Sequence, residues 1–317
     1  MLIYFAPLEG VTDFTYRRTH SAHFGGIHKY FIPFVSPTQN LCWTPRDIAA
    51  ISPAHNAGLP VVPQVLTRHA DHFFWAAQAL CDMGYGEINL NLGCPAGTVT
   101  AKGKGAGMLT DADALRRFLD AVYAKAPLPV SIKTRLGFAD VSEWAALLDV
   151  YSQYPVSELI VHARTRAAFY AGAPHQEAFA ESFARCKFPL VYNGDLFTAG
   201  DCRALIDACP RTHALMIGRG LIANPALARS FAGGEALTRP ALRGFHDALF
   251  AAYLAQYPPH VVLGKMREVM KHAVFCFESP EKPLKAIRKA CHLRAYEEAV
   301  AQLFDAHAFT SEPCFLP

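Results

Sequence analysis

Short apolar or β-branched runs recur along the chain. Each is closed by Gly, Pro or a polar residue and followed by a stretch in which Ala, Leu, Phe and Trp return at three- and four-residue intervals. Eight such runs predict strands: residues 2–6 (LIYFA), 30–34 (YFIPF), 61–66 (VVPQVL), 87–92 (EINLNL), 130–134 (VSIKT), 158–161 (ELIV), 190–193 (LVYN) and 214–217 (ALMI). Between them, 69–83, 111–126, 142–154, 175–186 and 198–208 carry the spacing of amphipathic helices. The alternation ends near Gly233-Gly234. From Pro240 onward only helical spacing follows, over 242–256, 261–277, 283–293 and 296–306. Eight strands each feeding a helix favour a closed (β/α)8 barrel over an open doubly wound sheet, because closure leaves no strand as an edge. The expected organisation is α/β: a TIM-barrel catalytic domain over 1–235, then a small all-helical bundle domain over 240–317.

Composition agrees with a large buried core. The 317 residues are 52% hydrophobic and 18% charged, which excludes disorder as the main state. The net charge of +3 is too small to mark the whole chain as a nucleic-acid binder, so any basic patch must be local. No run approaches the roughly 18 apolar residues of a membrane span, and the start MLIYFAPLEG has no charged leader, so a cytoplasmic protein without membrane contact is expected. Nine cysteines (42, 81, 94, 186, 202, 209, 276, 291 and 314) are scattered without a CxxC pair, which argues against a disulfide scaffold and against a metal site.

In a barrel, chemistry gathers at the C-terminal ends of the strands, and here nearly every strand ends in polar residues. The first runs into Pro7-Leu8-Glu9-Gly10, the third carries Gln64, and the fourth ends in Asn91-Leu92-Gly93-Cys94-Pro95. The fifth carries Lys133 and Arg135, the sixth ends in His162-Ala163-Arg164, the seventh in Asn193-Gly194-Asp195 and the eighth in Gly218-Arg219-Gly220. The glycines of the last two turns let backbone N–H groups approach a phosphate, and Arg219 offers a forked cation; the plainer reading is that they close tight turns. Lys133 inside an apolar strand is either a Schiff-base nucleophile or a fixed positive charge. Gln64, Asn91 and His162 on other strands suit a flat heteroaromatic ring, so the set fits flavin mononucleotide. Cys94, in the Gly-rich stretch NLGCPAGTVTAKGKGAGML, reads as a nucleophile or proton donor on a mobile loop whose Lys102 and Lys104 bear on its ionisation.

These motifs resemble the dihydrouridine synthase family over residues 3 to about 300. APLEGVTDFTYR, the strand Gln64, NLGCPAGTVTAKGKGAGML, SIKTRLG, VHARTR, YNGD and MIGRG follow the family's order and spacing. The resemblance implies FMN held by Pro7, Leu8, Glu9, Gln64, Lys133, His162, Asn193, Gly194, Asp195, Gly218 and Arg219, with NADPH as reductant. It implies hydride transfer from flavin N5 to C6 of uracil in tRNA, with Cys94 protonating C5 and with Asn91 and Arg164 contacting the uracil. Departing from the family, His175 stands where a tryptophan is usual after VHARTR, and the helical tail is short.

The tail is where the basic charge lies. From 260 to 294 there are eight Lys/Arg against three Glu, a net of 8 − 3 = +5, leaving 3 − 5 = −2 for the remainder. That patch, with Lys282, Lys285, Arg288 and Lys289, is expected to bind the tRNA substrate of a monomeric enzyme. Three other readings compete: an FMN barrel acting on a small molecule, such as a dihydroorotate dehydrogenase-like enzyme; an aldolase using Lys133; and a non-catalytic RNA-binding module. The basic helices speak against the first, the Cys94 loop against the second, and the intact Cys94, Lys133, His162 and Arg219 against the third.

Overall fold

The computed structural model of the protein describes residues 1–313. Among them, eight parallel strands close in sequence order into a barrel: β1 (Leu2–Phe5), β2 (Lys29–Val35), β3 (Val61–Val65), β4 (Ile88–Leu92), β5 (Val130–Arg135), β6 (Leu159–His162), β7 (Leu190–Asn193) and β8 (Ala214–Ile217). Every residue of β4, β6, β7 and β8 is buried. Strands covered on both faces read as continuous apolar runs, which is why they were legible. The outer helices bury one stripe each: Ala70–Asp82 through Phe73, Ala76, Ala77 and Leu80, and Ala112–Lys125 through Leu115, Phe118, Leu119 and Val122. Asp111 starts the second of these by accepting from the backbone N–H groups of Asp113 and Ala114.

The strand register sets polar residues side by side. Gln64 pairs with Asn89, Asn89 with Ser131, Asn91 with Lys133, and His162 with Asn193. Positions two apart along a strand share a face, so these residues form neighbouring polar layers where barrels usually stack branched apolar side chains.

Several elements differ from expectation. The Gly-rich stretch after Cys94 is a helical turn at Gly97–Thr100 followed by a 3-10 helix at Gly105–Thr110, because the glycines supply tight contacts and not slack. Helices Phe14–His23 and Pro45–Ile51 also form, capped by Asp13 and Thr44.

The chain divides into two compact units interleaved along the sequence. One comprises Met1–Pro7, His28–Gly194 and Leu205–Met216; the other comprises Leu8–Ile27, Asp195–Ala204 and the chain from Ile217 onward. In the second unit, Phe14–His23 packs on Arg239–Leu254, with Tyr16 edge-on to Phe245 at 5.6 Å and Phe24 edge-on to it at 5.4 Å. Asp13 is its hub, accepting from the Tyr16 backbone at 2.9 Å, from the Tyr253 hydroxyl at 3.0 Å and from Lys265 Nζ at 2.6 Å. The helices Pro259–Ala273, Glu281–Lys289 and Leu293–Ala306 complete it. No helix among the described residues is long and apolar enough to cross a membrane. The eight cysteines described are free thiols; Cys314 lies outside the described residues.

Candidate functional site

Cys94 follows β4 and is half-buried, and the backbone around it is tied on every side. Asn91 Oδ1 accepts from the N–H groups of Gly93 at 3.1 Å and Cys94 at 2.9 Å, and the Cys94 carbonyl accepts from Ala106 N at 3.1 Å. Arg135 Nε donates to the Gly93 carbonyl at 2.9 Å and Arg166 Nε to the Pro95 carbonyl at 3.1 Å, so an arginine grips each flanking peptide. Gly105 has φ +56, and a Cβ there would lie 3.0 Å from Cys94 Cβ, so this close approach requires glycine.

Both arginines work through their planar forks. Arg135, fully buried, also donates to the Thr165 and Phe169 carbonyls at 2.8 Å each and lies over the Tyr170 ring. Burial pulls its guanidinium down to about 10. Arg166 reaches Thr100 Oγ1 and lies over Phe138 and Phe169. Arg164, expected to meet the uracil, is buried and donates to the Ala171 and Gly172 carbonyls. Arg135 and Arg166 hold the segment after β6 against the Cys94 loop, while Arg164 braces that segment from within. The roles of Arg135 and Arg166 are not legible from the sequence beyond one cue, two cations inside the short motifs SIKTRLG and VHARTR.

Lys133, on β5, is half-buried, and its ammonium makes no hydrogen bond or ion pair among the described residues. Burial pulls it down to about 7; the neighbouring Arg135 acts the same way and Cys94 opposes. Gln64 is buried, donating to Asn89 Oδ1 and accepting from Asn91 Nδ2, each at 2.7 Å. Asn91, also expected to meet the uracil, therefore spends its carbonyl on the Cys94 loop. His162 is buried at the end of β6 with its ring 5.8 Å from that of Tyr170. Asn193 Nδ2 donates to the Met216 carbonyl at 2.8 Å, and a Cβ on Gly194 would fall 2.5 Å from the Tyr192 hydroxyl. Pro7 follows β1 and is half-buried.

In the second unit, Arg219 Nη2 donates to Asp195 Oδ1 at 2.6 Å and lies over the Phe197 ring. Gly218 precedes the short helix Arg219–Ala223, and a Cβ on Gly220 would collide with the Leu196 carbonyl oxygen. Leu8 N donates to Thr12 Oγ1 at 2.8 Å, and Glu9 is exposed. On the helix Glu281–Lys289, the side chains of Lys282, Lys285, Arg288 and Lys289 are exposed and enter no hydrogen bond or ion pair among the described residues. Lys265 and Arg294 of the same basic stretch are engaged with Asp13 and Glu298.

The first unit carries a further cation cluster that sequence analysis left without a binding role. Burial, Lys102 and Arg68 lower the Lys104 ammonium; burial, Arg68, His72 and Lys104 lower His69. Only Asp71 opposes, on His69.

The family model for dihydrouridine synthase matches residues 4–312. A "Probable tRNA-dihydrouridine synthase" of Rhodobacter capsulatus is 30% identical over 289 residues, 89% of this chain and 87% of that protein. A tRNA-dihydrouridine(16) synthase of Pseudomonas syringae pv. tomato is 30% identical over 276 residues, 81% of this chain and 86% of that protein. Among solved structures, a variant of NCR from Zymomonas mobilis matches with TM-score 0.55 at 17% identity, covering 77% of this chain and 90% of that one. Morphinone reductase matches with TM-score 0.53 at 15% identity, covering 77% and 88%. At such identity these two likenesses speak to the barrel fold.

Proposed function

The chain belongs to the dihydrouridine synthase family and is a flavin-dependent oxidoreductase, and from that premise we propose that it reduces the C5–C6 bond of uridine in tRNA, with FMN as its flavin, NADPH as reductant and Cys94 as proton donor. The observation that carries this reading is Cys94 itself: a half-buried thiol whose own and flanking peptides are gripped by Asn91, Arg135 and Arg166. A proton donor works only if its reach is set before substrate arrives.

Lys133 argues that a flavin fits. A half-buried ammonium without a counter-ion is a cost in the flavin-free protein, and an electron-rich ring or its anion would remove that cost. Gln64 and His162 would join it in holding the ring. The backbone of Pro7–Glu9, Asn193–Asp195 and Gly218-Arg219 would hold the rest of FMN, with Asp195 orienting the Arg219 fork. FMN, when bound, would supply the hydride for C6 of the uracil. Cys94 Sγ delivers a proton to C5, while Asn91 and Arg164 frame the uracil through the loops they hold.

The helices of 240–317 are the tRNA-binding part, gripping phosphates through Lys282, Lys285, Arg288 and Lys289. Arg68, Lys102 and Lys104 give the Cys94 loop a second set of cations that a polyanion would relieve. The enzyme acts as a cytoplasmic monomer. Purified protein should show oxidised-flavin absorbance and release FMN on denaturation, and with NADPH it should form dihydrouridine in tRNA lacking it. A colourless protein that fails to take up FMN overturns the reading.

A further inference from the structure

A continuous polar thread crosses the barrel unit and ends on the backbone of Cys94. Lys29 Nζ lies 2.6 Å from Glu87 Oε2, and Ser131 Oγ donates to Glu87 Oε1 at 2.7 Å. Asn89 Nδ2 donates to Ser131 Oγ at 2.9 Å, Gln64 Nε2 to Asn89 Oδ1 at 2.7 Å and Asn91 Nδ2 to Gln64 Oε1 at 2.7 Å. Asn91 Oδ1 then takes the N–H groups of Gly93 and Cys94. Ser131, Asn89, Gln64 and Asn91 are all buried.

The two ends dictate one direction. A carboxylate paired with Lys29 only accepts, so Ser131 spends its proton there and turns a lone pair to Asn89. Asn89 must then present its NH2 to Ser131 and its carbonyl to Gln64, and the same alternation passes through Gln64 to Asn91. At the far end two backbone N–H groups only donate, so they require the Asn91 carbonyl. A carboxamide's oxygen and nitrogen are told apart by their partners, and here every partner agrees. Turning over any one amide sets donor against donor or acceptor against acceptor at buried sites.

We propose that Glu87, Ser131 and Asn89 are positioning residues for the uridine reduction: they set the amide orientation of Gln64 and Asn91 and thereby the placement of Cys94. The inference rests on Cys94 as the proton donor. None of the three is assigned a place at the flavin or the uracil, so they act only through the chain.

Ser131→Ala in the holoenzyme tests it, since it deletes the hydroxyl that relays direction from Glu87 while leaving the barrel's shape. Single-turnover uridine reduction by the pre-reduced holoenzyme should fall at least about tenfold with tRNA affinity held within about twofold. In the flavin-free protein, peptide-mapped alkylation of Cys94 by iodoacetamide should change at least about threefold relative to exposed Cys291 while the buried Cys202 and Cys276, which general loss of stability would expose, stay unmodified. If Ser131→Ala does not fold, Glu87→Gln replaces the acceptor-only anchor at equal size and should move both readouts in the same sense. A folded variant with both readouts within about twofold of the parent overturns the proposal, as does loss of reduction with the alkylation ratio unchanged. Retention of uridine reduction by Cys94→Ala would instead defeat the proton-donor premise, which the alkylation ratio does not depend on.

Discussion

At the scale of single residues, what distinguishes Cys94 from the other thiols is its surroundings. Cys186, Cys202 and Cys276 sit in apolar packing that pushes them up to about 11, 12 and 12, the inert state of a buried thiol. Cys94 is half-buried on a loop whose peptides are held by three side chains from other elements. Cys94→Ala should therefore lower uridine reduction by about 10²-fold or more while leaving NADPH-driven flavin reduction intact, as single-turnover assays of each half-reaction would read. Lys133 predicts a pH effect on the flavin-free protein. Burial holds its folded pKa near 7, against about 10.4 in the unfolded chain, so between these values the unfolded state binds more protons and stability rises with pH. Below about pH 7 the cost is fully present. Lys133→Met should flatten that rise in denaturant titrations, stabilise the flavin-free protein at pH 7 by about 1–3 kcal/mol, and abolish FMN uptake. Gln64, Lys133 and Cys94 were visible in the sequence as polar interruptions of apolar runs. Asn89 and Ser131 were not, because their meaning lies in partners on neighbouring strands about 25 to 42 residues away.

Among the elements, turns and caps carry predictions of their own. Asp13 both caps Phe14–His23 and binds Lys265 and Tyr253, so Asp13→Ala loses the cap and strands a half-buried lysine. It should cost about 2–3 kcal/mol in chemical denaturation. Gly220 packs onto the Leu196 carbonyl, where a Cβ has no room. Gly220→Ala should cost about 2–4 kcal/mol and lower the melting temperature accordingly, and should weaken FMN retention if the turn at Gly218-Arg219 holds the phosphate. The strands were legible because a closed parallel barrel buries both faces of each and so favours largely apolar runs, against which the few polar residues stand out. The segment after Cys94 was misread because four closely spaced glycines look like slack in one dimension. In three dimensions a Cβ on Gly105 would lie 3.0 Å from Cys94 Cβ, so the close approach takes glycine.

Over the whole molecule, charge is the property that sorts the protein by function. The net +3 conceals a stretch of +5 at 260–294, and within it Lys282, Lys285, Arg288 and Lys289 remain exposed without ion pairs among the described residues. Replacing all four by Glu should weaken tRNA binding by about 10²-fold at moderate salt and flatten the slope of log K against log salt by roughly one unit per lost phosphate contact. Flavin content and NADPH oxidation should not change, which fluorescence anisotropy with labelled tRNA and a flavin assay would check together.

The sequence by itself determined the barrel, the helical tail, the cysteine at the end of the fourth strand and the local basic charge, because periodicity, chemistry and composition are properties of neighbours along the chain. Only the tertiary structure decided that Arg135 and Arg166 clamp Cys94, that Asn91 and Arg164 spend themselves on loops, and that Phe14–His23 packs with the C-terminal helices. The arginine clamps and the helix pairing join residues tens to hundreds of positions apart. A hydrogen bond acts over about 3 Å and is indifferent to sequence distance, so nothing local records which donor will meet which acceptor until the barrel closes.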